Sequence, residues 1–382
     1  MPAGGVVPAT DRSRSTDAAS YDPLVDTVGS VVVGLDVGGT ATNATVLDSD
    51  GRFLVDGLME VPSRVLEGPE VAVEALVDAV AAVLKLTEID PASVRAVGLD
   101  TPGPASADGV ISSRGSTNFA LPGWYGFDVR GALEARLRLP VIYNNDGNAA
   151  ALYAHVSHFG EAAVERSSVS AIVGTGLGGG LIEAGRVIKG AAGMAGELGH
   201  VHIPMVGLLA EGQPTPVCAC GFAGDVESVA SLTGIARNLL PYWLTRFEGH
   251  ELATISPVEK AARLVRSAGE RGDPLALKIF EQQAMALGRL FTIAANFTDP
   301  DAYFVGGGVV ETAPHFRDWF LEQVRRNTVL RQEQAGSTFA LVKDLDMAGA
   351  RGAALAAKSA TSPIPPRPRP HSASRPPSVH SG

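Results

Sequence analysis

The sequence predicts an α/β protein of two domains whose ligand lies at the carboxyl edges of its sheets. Three observations carry that expectation. Apolar runs of strand and helix character alternate along the chain, two glycine loops each sit between β-branched runs, and 382 residues suffice for two domains of ordinary size. The first glycine unit reads Val31-Val32-Val33-Gly34-Leu35-Asp36, then Val37-Gly38-Gly39-Thr40, then Ala44-Thr45-Val46-Leu47, closed by a turn at 48–51. The second reads Val169-Ser170-Ala171-Ile172-Val173, a loop over 174–180, then Leu181-Ile182, closed by Glu183-Ala184-Gly185-Arg186. Both have the grammar of a hairpin, so the chain reads as an internal repeat.

The remaining elements follow in order. Pro69 to Leu86 spaces Val71, Val73, Leu76, Val77, Val80, Val83 and Leu84 as one face of a helix, and Val94 to Leu99 is a strand. Leu133 to Leu139 reads as a short helix and Val141-Ile142-Tyr143 as a strand ending at Asn144-Asn145-Asp146. Asp225 to Trp243 and Pro274 to Phe297 read as helices, Ala302 to Val305 as a strand running into Gly306-Gly307-Gly308, and Ala348 to Lys358 as a closing helix. We expect polar tails over 1–28 and 360–382, the second rich in Pro, Ser, Arg and His. Between them we place a smaller α/β domain over 29–143, completed by the closing helix at about 346–359, and a larger one over 144–345.

Bulk properties narrow the function classes. A formal net charge of −10 argues against a nucleic-acid-binding body, since phosphate backbones are held by clustered Lys and Arg. No apolar run approaches the roughly 20 residues that span a membrane, and residues 1–27 have no signal-peptide core, so the expected location is cytoplasmic. The only cysteines, Cys218 and Cys220, are too close for an ordinary disulfide and read as half of a metal site.

Glycine loops at strand ends let backbone N–H groups converge on phosphate oxygens. Gly174, Gly176 and Gly179 match the dinucleotide fingerprint in spacing, but strand rather than helix follows, and no Gly-Lys-Ser/Thr occurs, so neither the Rossmann nor the P-loop reading holds. Asp146, at a strand end among amides, has the chemistry of a general base. It also precedes Ala149-Ala150-Ala151-Leu152, so it could cap a helix, although Asn145 or Asn148 could do that instead.

Five segments stand in one order: Asp36-Val37-Gly38-Gly39-Thr40, Asn145-Asp146-Gly147-Asn148-Ala149-Ala150, the loop at 174–180, Gly196-Glu197-Leu198-Gly199-His200 and Cys218-Ala219-Cys220-Gly221. In that order they resemble the ROK-family sugar kinases, from about Val31 to Lys358. The resemblance implies an actin-like ATPase (ribonuclease H-like) fold with a sugar site in the cleft between two α/β domains, and ATP with Mg²⁺ as cofactors. It makes Asp146 the base that takes the proton of the attacking sugar hydroxyl. Asp36 would serve the Mg²⁺, Gly38, Gly39 and Thr40 one side of the triphosphate, Gly174, Thr175 and Gly176 the other, and Gly306, Gly307 and Gly308 the adenosine. Asn118, Asn145, Asp146, Glu197, His200 and Glu227 would grip the sugar hydroxyls, although Glu197 and His200 also fit an exposed turn.

The family commonly holds structural zinc with one His and three Cys. Here His200, Cys218 and Cys220 are present, Asp225 stands at the third cysteine position, and a carboxylate can complete such a tetrahedron. The expected activity is ATP-dependent phosphorylation of a hexose, most simply glucose at its 6-hydroxyl. An N-acetylhexosamine, mannose, fructose or a C7-cyclitol as acceptor, and polyphosphate as donor, stay open. The family's repressors place a DNA-binding domain before the first strand, and the roughly 30 polar residues before Val31 are too few for one. The expected partners are sugar and ATP, with no nucleic acid and no membrane, and the family often forms dimers.

Overall fold

The computed structural model describes residues 30–361 apart from 104, 113–118 and 120. The segments 1–28 and 362–382, and Asn118, lie outside the described residues.

β1 (Val31–Val37) and β2 (Ala41–Leu47) form the first hairpin, β3 (Glu60–Pro62) extends it, and α1 (Pro69–Leu86) crosses over to β4 (Val94–Thr101). α2 (Val129–Leu137) leads to β5 (Val141–Asn145), and α3 (Asp146–Phe159) follows without a loop. The second half repeats this plan. β6 (Ser168–Val173) and β7 (Leu177–Glu183) form the second hairpin, extended by β8 (Arg186–Val187). A long excursion holds α4 (Glu227–Ala230), α5 (Leu232–Gly234), α6 (Leu240–Leu244) and α7 (Val258–Glu270). α8 (Pro274–Thr298), β9 (Ala302–Gly306), α9 (Pro314–Arg326), β10 (Thr338–Leu341) and α10 (Leu345–Thr361) complete it.

The two five-stranded sheets run β3-β2-β1-β4-β5 and, read from the corresponding edge, β8-β7-β6-β9-β10. In each, the hairpin is antiparallel and the two strands beyond it are parallel. The repeat read from the two glycine loops is therefore a repeat of topology. On one face of the first sheet, Val33, Leu35 and Val97 bury against Val73, Leu76, Val80 and Val83 of α1. Each fully buried Val or Leu of this kind contributes about 1.5–3 kcal/mol. The other face takes α10 at unusually short range, because a Cβ on Gly98 would fall 1.9 Å from the Ala353 carbonyl oxygen and one on Gly34 2.0 Å from that of Ala350. α3, the helix that ends the first half, packs instead on β6 and β7 of the second sheet and against α10. No described helix is long and apolar enough to cross a membrane.

Two elements differ from their expected form and two more were not expected. The helix expected over 225–243 is broken at Ser231, whose backbone leaves helical space (φ −84°, ψ 163°). The break lets the Leu232 and Thr233 N–H groups donate to the Gly174 and Thr175 carbonyls of the second glycine loop (3.0 and 3.1 Å). A long-range bond thus overrides local helix propensity. The helix expected at 133–139 starts earlier, at Val129, because Asp128 caps it by accepting from the Gly131 N–H at 2.7 Å. α7 and α9, with their charged outer faces, were not expected.

Candidate active site

The first sheet's carboxyl edge gathers the acids. Register pairs Asp36 with Asp100 and Asp100 with Asn144 across β1, β4 and β5, and Asp146 begins α3 immediately after β5. The competing explanation of Asp146 as a cap falls away, since Asn145 is the cap and accepts from the Asn148 N–H at 2.8 Å. Asp146 stays reachable from solvent while the protein around it displaces much of its water. That loss of hydration pushes its carboxyl up to about 6; the Gly147 N–H bond at 2.7 Å opposes the rise, and the charges of Asp36 and Glu197 add to it.

Burial also raises Asp36, against hydrogen bonding with Asp100 and Asn43. Asp100 is fully buried and lies well above the carboxylate range, from burial first and from the facing Asp36 charge second. Glu197 is raised by burial, which the charge of His200 opposes. Its Oε1 lies 3.9 Å from the place a Cβ on Gly103 would take, so the loop after β4 and the segment 196–200 meet beside Asp146.

The first glycine loop is tied by the Gly38 N–H to the Ala41 carbonyl (2.8 Å), and the Ser63 N–H donates to the Thr40 carbonyl (3.0 Å). In the second loop Gly174 N–H donates to the Gly176 carbonyl at 2.9 Å. Gly307, at φ +87°, runs against β6 so closely that a Cβ would lie 2.2 Å from the Val173 carbonyl oxygen. The triple glycine and the second loop therefore lie side by side. A cavity of about 290 Å³ opens between Gly174, Thr175 and Gly308, walled by Leu232, Ile235 and Arg263. Arg266 holds the Gly308 carbonyl from α7 at 2.6 Å, a contact the sequence reading missed together with its helix.

His200, Cys218, Cys220 and Asp225 converge, with one ligand atom of each within 4.8 Å of all the others. His200 Nδ1 lies 3.3 Å from Asp225 Oδ2, 3.7 Å from Cys220 Sγ and 4.0 Å from Cys218 Sγ, and Cys220 Sγ lies 3.9 Å from Asp225 Oδ2. The edges of a zinc tetrahedron are about 3.3–3.8 Å, so the set fits that ion with little movement. Both cysteines are free thiols. Asp225 is held from behind by the Ser228 N–H at 2.8 Å, and His200 faces the cluster with Nδ1, which leaves Nε2 outside it. Glu227 accepts from the Cys218 thiol (3.1 Å) and from the Leu177 N–H (2.8 Å), which links this cluster to the second glycine loop. Both its oxygens are thus engaged within the chain, unlike those of Glu197.

Asp100 was missed by the sequence reading. Its signal was an acid inside the apolar run Ala96-Val97-Gly98-Leu99, followed by Thr101-Pro102-Gly103.

Paired sheets of one strand order, with glycine-loop hairpins in both and helices between them, define the actin-like ATPase class of fold. Within that class the chain belongs to the ROK family, whose model matches residues 32–360. It is 33% identical over 280 residues to a glucokinase of Halalkalibacterium halodurans, covering 72% of this chain and 80% of that protein. It is 30% identical over 278 residues to an N-acetylmannosamine kinase of Shigella flexneri, covering 73% of this chain and 83% of that one. A ROK family glucokinase from Streptomyces griseus, solved in complex with glucose and AMPPNP, matches with a TM-score of 0.63 and 27% identity over 86% of this chain and 99% of that chain.

Proposed function

We propose that the protein transfers the γ-phosphoryl group of ATP to a hydroxyl of a hexose, with glucose and its 6-hydroxyl the first candidate. The observation that carries this reading is Asp146, a solvent-reaching carboxyl raised to about 6 at the meeting point of β5, Glu197 and the Gly103 loop. At neutral pH such a group is ionised yet basic enough to take a proton in the transition state. The sugar would be held by Asn145, Glu197 and His200 Nε2, which orient one hydroxyl toward Asp146. As its oxygen attacks the γ-phosphorus, Asp146 receives the proton and ADP leaves. Backbone N–H groups of 38–40 and 174–176 would hold the phosphates from two sides, and the cavity beside Gly308 would take the adenosine. Mg²⁺ bound with the nucleotide would neutralise phosphate charge, and Asp36, among oxygen donors, suits that hard ion. A cytoplasmic location accords with the use of ATP.

Zinc belongs to the same proposal, as a structural ion on His200, Cys218, Cys220 and Asp225 that fixes the segment carrying Glu197. An N-acetylated aminosugar is the second acceptor to try, on the ground of the 30% identity to an N-acetylmannosamine kinase. The test is ADP release over a panel of hexoses, hexosamines and cyclitols with ATP or polyphosphate as donor. A sugar-dependent rate with one or a few acceptors supports the reading, and silence across the whole panel refutes it.

A further inference from the structure

Four polar side chains form a row across the first sheet at its carboxyl edge. Asp36 pairs in register with Asn43 on one side and Asp100 on the other, and Asp100 pairs with Asn144. Residues paired in register project from the same face of a sheet. That face lies under α10, whose Gly349 approaches so closely that a Cβ there would fall 2.5 Å from Asp36 Oδ2.

The row is buried at Asp100 and Asn144 and half-buried at Asp36 and Asn43, and much of it is unsatisfied. Asp100 has no exposed surface and Asn144 only 2%. Both amide atoms of Asn144 and Oδ1 of Asn43 lack a hydrogen-bond partner, and so do both oxygens of Asp100 unless a proton is shared between its carboxyl and that of Asp36. An orphaned buried polar atom costs about 1–3 kcal/mol, so a row of them is a large expense for a fold with nothing to set against it.

The fold does not require it, because the second half carries the same strands without it. There Ile172 pairs with Gly178 and with Gly306, and Val342 follows β10 beside Gly306. A Cβ on Gly306 would touch Val342 Cγ2 at 2.8 Å and Ile172 Cδ1 at 3.0 Å, so that edge is closed by aliphatic packing. Where one copy of the plan has Asn, Asp, Asp and Asn, the other has Gly, Ile, Gly and Val.

We propose that Asp100 is a second carboxylate ligand, beside Asp36, for a hard divalent cation of the Mg²⁺ type, with Asn43 and Asn144 binding the ion's remaining ligand positions or its waters. Neighbouring strands lie about 4.8 Å apart, which puts two carboxyls in register within reach of one ion. The donor set is all oxygen, as Mg²⁺ and Mn²⁺ favour, and two carboxylates match the charge of one divalent ion. The inference deepens the kinase reading, which assigns Asp36 to the metal, but the site would bind its ion before nucleotide arrives.

The test needs no turnover. The full chain, loaded with zinc and free of nucleotide and sugar, is titrated with Mn²⁺ and free Mn²⁺ is read by electron paramagnetic resonance. One Mn²⁺ that Mg²⁺ displaces is expected, with affinity at least tenfold weaker in Asp100→Asn and in Asp36→Asn and unchanged in Asp344→Asn, an acid after β10 that pairs with Arg351. Asp100→Gly, which copies the residue found at the same place in the second half, gives the same loss if the amide variant folds poorly. Absence of a displaceable Mn²⁺ in the parent overturns the site, as does equal affinity in folded Asp100 variants, which would leave Asp36 and Asp100 sharing a proton. A parent that binds Mn²⁺ but phosphorylates no sugar would refute the function and leave this site standing.

Discussion

The two halves of the chain share a strand order and differ at the ends of their strands. The first ends in Asp36, Asp100 and the Asn144–Asp146 segment, and the second in Ile172, the glycines 306–308 and Val342. The difference separates scaffold from chemistry. What both halves keep, the hairpin, the parallel strands and the apolar faces, is what the topology needs. What only the first half keeps is an acidic edge that costs stability, while the second half has a glycine floor, which the proposed function gives to the nucleotide.

The sharpest way to break that comparison is to exchange chemistry at equivalent places. Asp344 follows β10 as Asp146 follows β5, but it accepts from Tyr153 (2.7 Å) and Arg351 (2.9 Å) and so is spent on structure. Asp146→Asn should lower kcat for sugar-dependent ADP release about 10³-fold, or about 4 kcal/mol of transition-state stabilisation. Asp344→Asn should leave kcat within about threefold and cost about 1 kcal/mol in urea unfolding, since Asp344 itself is exposed although its partner Arg351 is not. Writing the acidic edge into the second half should only harm it. Ile172→Asp buries a carboxylate among aliphatic chains and is expected to cost about 3 kcal/mol in the same unfolding assay.

Smaller effects sharpen the picture. With Asp146 pushed up to about 6 by burial and proposed as the ionised base, log kcat/KM should be level above that pH and fall about tenfold per unit below it. A pH–rate profile still level at pH 5 would remove Asp146 from the role. Metal analysis should find one zinc per chain in the parent and none in Cys218→Ser, with a midpoint of thermal unfolding lower by about 5 °C. The smallest effect has the opposite sign. Without divalent cation, Asp100→Asn should stabilise the fold by about 1 kcal/mol, because it removes a buried carboxyl that only a bound ion would compensate.

Much of the scaffold was legible in the sequence because it is written in local patterns. The 3.6-residue spacing of Val73, Leu76, Val80 and Val83 predicts α1 with its observed limits Pro69–Leu86, and β-branched runs around glycines predict both hairpins. The five ordered motifs placed the chain in its family, and three of their residues converge with Asp225 in a cluster of metal-ligand geometry. What was not legible depends on register or on distant partners. Ser231 breaks a helix because carbonyls at Gly174 and Thr175 call on the N–H groups beyond it. Arg266 reaches Gly308 from a helix whose charged face hid its pattern. Asp100 is one acid in an apolar run until β1, β4 and β5 align and set it between Asp36 and Asn144.

The central claim is that the acidic edge of the first half moves a proton from a sugar hydroxyl while the rest of the cleft only binds. Single-turnover phosphoryl transfer, measured with saturating ATP and the best acceptor of the panel alongside calorimetric sugar binding, tests it directly. The account predicts that Asp146→Asn binds the sugar within about threefold of the parent and transfers phosphate about 10³-fold more slowly. Equal transfer rates in the two proteins would contradict it.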